Sequence, residues 1–127
     1  GVGCRSGVPA EVIADLVERA LEACDRPGVP AALFTVVDKQ SEPGIGEAAA
    51  GLGLALVHLP RAALAAVADR VATRSEKVVE LFGVPSIAEG AVLAGAGPSG
   101  RLVVERMADR GATVAVALGG ATNEDAK

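Results

Sequence analysis

Gly1-Val2-Gly3-Cys4-Arg5-Ser6-Gly7-Val8-Pro9 is the stretch from which the rest of the chain can be read. A short apolar lead runs into a glycine turn, and a helix follows. Pro9 suits a first helical position. Ile13, Leu16, Val17, Ala20, Leu21 and Cys24 then recur at helical spacing, with Glu11, Asp15, Glu18 and Glu22 on the other face. This is a strand–turn–helix unit, the opening of an α/β domain. Glycines in the turn let a ligand approach the backbone. The first amides of the helix have no intrahelical partner and carry the positive end of the macrodipole. Arg5 adds a planar cation matched to carboxylate or phosphate. With Pro9 as the first helical residue the cap is Val8, which offers no side-chain oxygen. On that reading Val8→Thr should raise stability by about 1 kcal/mol.

Working outward, Asp25-Arg26-Pro27-Gly28 is a breaker. Ala31 to Val37 is an apolar run enclosing Thr35, the pattern of a strand buried on both faces. It ends at Asp38-Lys39, and a polar loop through Gly44 leads to a helix over Ile45 to Gly51. A third strand covers Leu54 to Leu59, a helix Pro60 to Val67, and another helix residues 75–82 with Thr73 as cap and Glu76 completing a box. Ser86 and Glu89 form a second S-x-x-E box opening helix 87–95. Leu102 to Glu105 and Ala112 to Leu118 read as an antiparallel pair joined by a short polar loop. The expected fold is a three-layer α/β/α sandwich around a mixed, mostly buried sheet of about five strands. Residues 1–118 form one domain, and 119–127 are a polar tail expected to be disordered. A chain starting at the end of a strand is expected to lack a few upstream residues.

Composition excludes several function classes. Half of the 127 residues are apolar, with two Phe and no Trp or Tyr, so stacking platforms for single-stranded nucleic acid are missing. A net charge of −4 opposes non-specific nucleic-acid binding. Runs such as Ala48 to Val57 are shorter than the ~20 residues of a membrane helix. Two distant cysteines point to a reducing cytoplasm, with no disulfide scaffold or metal site.

In open α/β sheets ligands lie beyond the carboxyl ends of the strands. Gly3, Cys4, Arg5 and Ser6 end the first strand here, and Asp38, Lys39 and Glu42 follow the second. Together they make a mouth with two cations and two carboxylates. Cys4 is a nucleophile candidate at the helix terminus, although packing is the blander and favoured reading. Cys24 is core. His58, the single histidine, reads as an acid–base group or as a structural hydrogen-bond partner. Ser75 either caps a helix or binds a carboxylate; Glu89 either completes its box or is catalytic. Gly1, Gly3 and Gly7 also fit a nucleotide turn, with Asp38 as a ribose acceptor, a minority reading.

Three segments taken in order carry a resemblance. Gly1-Val2-Gly3-Cys4-Arg5 before an acidic helix, TVVDKQSEPG at 35–44, and GVPSIAEGA at 83–91 with the closing ATVAVAL resemble the CobE/CbiG C-terminal domain family of cobalamin biosynthesis. The likeness runs from Gly1 to about Leu118. It implies an α/β/α fold and a tetrapyrrole-derived corrin intermediate as ligand. Gly3, Cys4, Arg5, Ser6, Thr35, Lys39 and Ser75 then become substrate-binding candidates, and Asp38, Glu42 and Glu89 catalytic candidates. No cofactor is implied. In this family the domain stands alone or ends a longer protein that opens the δ-lactone of a cobalt-precorrin and releases acetaldehyde. Three roles follow from the resemblance: a corrinoid carrier or accessory factor, a lactone hydrolase, or a docking module for another pathway enzyme. Two positions depart from the family pattern. Val8 stands where Thr or Ser is common, and Arg106 where a lysine is usual.

Overall fold

Alternate residues of a strand point to opposite faces, and the central strands of this chain are apolar on both. The computed structural model describes residues 1–24 and 30–119. The breaker at 25–28 and the tail from 120 onward lie outside them. The described elements are β1 (Val2–Cys4), α1 (Ala10–Ala23), β2 (Ala32–Val36), α2 (Pro43–Leu52), β3 (Ala55–Leu59), α3 (Arg61–Ala65), α4 (Glu76–Phe82), α5 (Ile87–Ala96), β4 (Arg101–Asp109) and β5 (Ala112–Leu118). Single 3-10 turns cover Val37–Lys39 and Ala68–Arg70. Val2, Leu33 and Val114 pack with Ile13, Leu16 and Ile45 of α1 and α2. Their neighbours Val36 and Ala115 face the other way, onto Ile87, Ala91 and Leu64 and onto Ala88 and Val92. Helices therefore cover both faces, and the α/β/α layering is present.

The five strands pair as two sheets rather than the single mixed sheet expected. β1-β5-β4 is antiparallel, and β2-β3 is a separate parallel pair. The seam between them is closed by a side chain. Thr35, fully buried, donates from Oγ1 to the carbonyl of Val2 at 2.7 Å. A three-residue strand leaves little backbone to form a ladder on its second side, and the buried hydroxyl takes the carbonyl that a ladder would have used.

Close packing dictates two of the glycines. A Cβ at Gly95 would stand 2.5 Å from the Phe34 ring, and one at Gly44 would stand 2.2 Å from the Val8 carbonyl oxygen. Glycine at these positions lets α5 lie against β2, and α2 against the opening turn.

β4 has nine residues against seven in β5, and the surplus is taken up by two bulges. Leu102 faces Ala117 and Val104 faces Val116, but the next pair is Met107 with Val114. Each step inserts one extra residue on β4, which re-aims side chains at that point. The hairpin closes at Arg110-Gly111, with φ of 47° and 88°, so two positive-φ residues make the tight turn that matches strand twist. β4 thus runs well past the Glu105 end expected from the sequence. An arginine in the left-handed region is a poor turn signal, but Arg110 is pinned by ion pairs to Asp109 and Asp15.

The helix starts also move. The N-cap of α1 is Pro9, whose carbonyl accepts from Val12 N at 3.1 Å, so Val8 lies outside the helix and packs in the core. Ser75, not Thr73, caps α4, its Oγ accepting from Val78 N at 3.3 Å. Ser86 caps α5 as expected, accepting from Glu89 N at 3.1 Å. Among the described residues no single helix is long and apolar enough to cross a membrane.

The expected gain from Val8→Thr is reversed by this placement. A threonine hydroxyl there is buried beyond the cap position, so the variant should lose about 1–3 kcal/mol of stability. Urea unfolding monitored by circular dichroism measures it. A midpoint above that of the parent would restore Val8 as the cap.

Candidate functional site

The carboxyl ends of β1 and β2 and the hairpin end of β4–β5 open onto one groove of ≈ 960 Å³, near the upper end of the range for small-molecule sites. Gly3, Cys4, Arg5, Ser6, Lys39 and Ser75 all line it. Of the binding candidates from the sequence, Thr35 alone is elsewhere, at the seam between the sheets. Sequence reasoning missed most of the remaining lining. α4 contributes Lys77, Val78, Leu81 and Phe82, the far end of β4 contributes Arg106 and Asp109, and the hairpin turn contributes Arg110.

The walls differ in chemistry. On one side α4 presents Leu81, 53% exposed, beside Phe82. Lys39 and Arg61 approach the Phe82 ring at 5.2 and 5.3 Å, within cation–π range. On the other side stand Arg5 from the turn and Arg106 from the second bulge of β4. The sequence had marked Arg106 only as a departure from a family pattern. The bulge that turns it into the groove arises from a long-range register, which short-range periodicity does not report.

The groove is electropositive on an acidic protein. Among the described residues Arg5, Lys39, Lys77 and Arg106 have no carboxylate partner within ion-pair distance. The groove's carboxylate, Asp109, is held by Arg19 at 2.6 Å and Arg110 at 3.0 Å. Hydrogen bonds from Arg110 and then Arg19 keep its carboxyl below the usual aspartate range. Groups so paired are poor proton acceptors.

The catalytic candidates are placed apart from the groove lining. Asp38 is clamped by Arg61, whose Nη2 and Nε lie 2.7 and 3.1 Å from its oxygens, and this guanidinium holds its pKa below the ordinary value. Glu42 accepts from the Gly7 amide at 2.9 Å. The anion received at that part of the opening turn is therefore one of the chain's own carboxylates. Glu89 is fully buried. Its Oε1 accepts from Ala72 N and Thr73 N at 2.9 and 2.8 Å, and its Oε2 from Arg106 N at 2.8 Å. The S-x-x-E pattern is thus half a capping box. Ser86 performs its part, and the glutamate reaches to residues on two other segments.

Burial, the leading effect, pushes the Cys4 thiol up, against the opposing pull of Lys39, so it favours the protonated form over the thiolate a nucleophile requires. His58 lies on β3, paired in register with Thr35, and does not line the groove. Among the described residues no three of His, Cys, Asp or Glu gather as metal ligands.

Comparison with known proteins agrees with this architecture. The family described as Cobalamin synthesis G C-terminus matches residues 1–117. Protein CobE of a Sinorhizobium species is 37% identical over 118 residues, spanning 92% of this chain and 77% of that one. A crystal structure of CobE, described as a protein from the cobalamin (vitamin B12) biosynthetic pathway, superposes with a TM-score of 0.85 at 32% identity, over 92% of this chain and 86% of that one. The cobalamin biosynthesis protein chiG of Agrobacterium tumefaciens superposes with a TM-score of 0.74 at 32% identity, over 95% and 97%. Sequence and fold together show that the chain belongs to the Cobalamin synthesis G C-terminus family and is a CobE-like protein of cobalamin biosynthesis.

Proposed function

We propose that this protein binds a corrin-ring intermediate of cobalamin biosynthesis in the groove at the strand ends, as a carrier or accessory factor. The observation that carries the reading is a groove that gathers Arg5, Lys39, Lys77 and Arg106, without carboxylate partners among the described residues, around the apolar side chains of Leu81 and Phe82. A corrin intermediate has matching chemistry, with a broad apolar macrocycle and a rim of acetate and propionate carboxylates. The chain's net charge of −4 makes such a concentration of cations informative, because a general excess of basic residues would have produced one without any ligand.

Lactone opening is the second reading. It needs an activated water and a stabilised oxyanion. Arg5 and Arg106 suit the oxyanion, but Asp38, Glu42 and Glu89 are already engaged by Arg61, by the Gly7 amide and by three backbone amides. This favours carriage over hydrolysis. The arginine on Asp38 also counts against the ribose-acceptor role. A corrinoid pathway and two free cysteines fit a cytoplasmic setting, where other pathway enzymes would take up the carried intermediate.

A visible-absorbance titration with a corrin intermediate tests the reading. A saturable shift is expected, with affinity falling as salt rises because exposed charge contacts are screened. Arg5→Ala and Arg106→Ala should each weaken binding by about tenfold, ~1.4 kcal/mol, with the fold retained. Release of acetaldehyde would move the assignment to the hydrolase. Copurification with a pathway enzyme and no spectral shift would move it to the docking module.

Asp38 gives an independent test of base chemistry. A carboxyl held below its ordinary value of 3.8 binds fewer protons in the folded state. Its contribution to stability is present above the ordinary aspartate range and is lost as pH falls through the folded value. NMR titration should place the Asp38 midpoint below 3.8, and Arg61→Ala should move it upward. A midpoint near neutrality in the parent would restore Asp38 as a general base.

A further inference from the structure

We propose that Glu89 is the positioning residue of the groove, one buried carboxylate that fixes both walls at once. Its Oε1 holds the Ala72 and Thr73 amides at 2.9 and 2.8 Å. These residues lead directly into Ser75 and α4, which supplies Lys77, Val78, Leu81 and Phe82. Its Oε2 holds the Arg106 amide at 2.8 Å, inside the second bulge of β4, where the register skips from Val104 to Met107. A bulged residue has lost its regular ladder partner, so the glutamate supplies the acceptor for the bulge that aims Arg106. The Glu89 carboxylate therefore joins the apolar wall to a cation of the opposite wall.

α4 is held lightly: Val78 and Phe82, partly buried, lie against the cluster of Val36, Leu64, Val84, Ile87 and Ala91. None of its residues is fully buried. Its segment is closed at the base by Ser75 N donating to the Pro85 carbonyl at 2.9 Å, and it ends in a left-handed Gly83. Glu89 is itself rigidly placed, one turn into a buried helix whose Ser86 cap accepts from its own amide. The geometry has the form of a rigid support carrying a loosely packed wall. Loss of the carboxylate should free residues 72–82 and 103–107 together, because one group restrains both.

Glu89→Gln is the direct test, since the amide keeps the size but turns a donor toward one of the amides it must accept from. Glu89→Asp keeps the charge and withdraws it by one methylene, and it decides the matter if the glutamine variant does not fold. Leu16→Ala, in the core on α1, serves as a control for general loosening. Hydrogen exchange of the unliganded proteins is the first readout. Faster exchange in both 72–82 and 103–107, absent from the control, is the expected result. Exchange that rises in one segment alone, or uniformly as in the control, would overturn the proposal.

Titration with a corrin intermediate is the second readout and rests on the function proposed above. Affinity should fall by about tenfold in folded Glu89 variants, with a flatter salt dependence because Arg106 is no longer held in place. Parent-like affinity in a folded variant would also overturn the proposal. A parent protein that binds no corrinoid would sink the functional reading alone, and the exchange result would still decide the role of Glu89.

Discussion

α5 is buried along seven consecutive residues, Ile87 to Leu93, and a helix buried all round has no natural place for a charge. Desolvating a carboxylate is costly unless hydrogen bonds replace the lost water. Ionic pairing is the common remedy, but among the described residues Glu89 has no cation beside it. The backbone replaces the water with three amides from residues 72, 73 and 106. Each of these part-buried amides finds its acceptor in the glutamate, in a loop and in a strand bulge that lack regular partners. The charge and the irregular backbone satisfy one another. The rest of α5 is suited to its position: Ala88, Ala91 and Gly95 are small where the strands and Phe34 press close.

The arrangement also explains why irregular backbone is tolerated where the groove forms. A regular β4 would keep side chains in strict alternation between the two faces. The two extra residues on β4 break that alternation and let Arg106 reach the mouth. The hairpin beyond it is fastened to α1 by Asp15, Arg19, Asp109 and Arg110. Single exposed ion pairs are worth little, and a network sharing two carboxylates gains chiefly from its geometry. Among the described residues Arg5, Lys39, Lys77 and Arg106 lack such partners. Negative charge is thus used to brace the outer hairpin and the turn at Asp38, and the strand-end mouth is left positive.

Legibility in the sequence divided along the range of the interactions. Elements defined by their own periodicity were readable. The β2 run is apolar over successive residues because both faces are covered, and α1 carries its acidic and apolar faces in plain register. Ser86 was readable as a cap because its partner is three residues away. Glu89 was misread for the same reason, since the box pattern is local and its carboxylate bonds residues sixteen or more positions away. The split into two sheets was hidden too. Nothing in Val2-Gly3-Cys4 states that its second side will be met by a threonine hydroxyl instead of a ladder. Arg5, Ser6 and Lys39 line the groove at the strand ends, a position legible from the sequence because strand ends are a topological property of the fold class. Lys77 and Arg106 needed tertiary structure to bring them to the same mouth.

The chemistry of the mouth then favours holding a ligand over transforming one. A hydrolytic site requires a base whose proton affinity lies near the working pH. Each nearby carboxylate has instead been given a partner: arginines for Asp38 and Asp109, an amide for Glu42, and three amides for Glu89. The arginines hold Asp38 and Asp109 toward the ionised form, which weakens them as bases, and the amides tie Glu42 and Glu89 into the scaffold. Burial in turn holds the Cys4 thiol toward its protonated form. The groups left available are cations and apolar side chains, and they suit a ligand that is flat, apolar in its interior and acidic at its edge. On the proposed reading, selectivity would come from where the cations stand around the rim, and the Glu89 bond to the Arg106 amide would bear on which ligand fits.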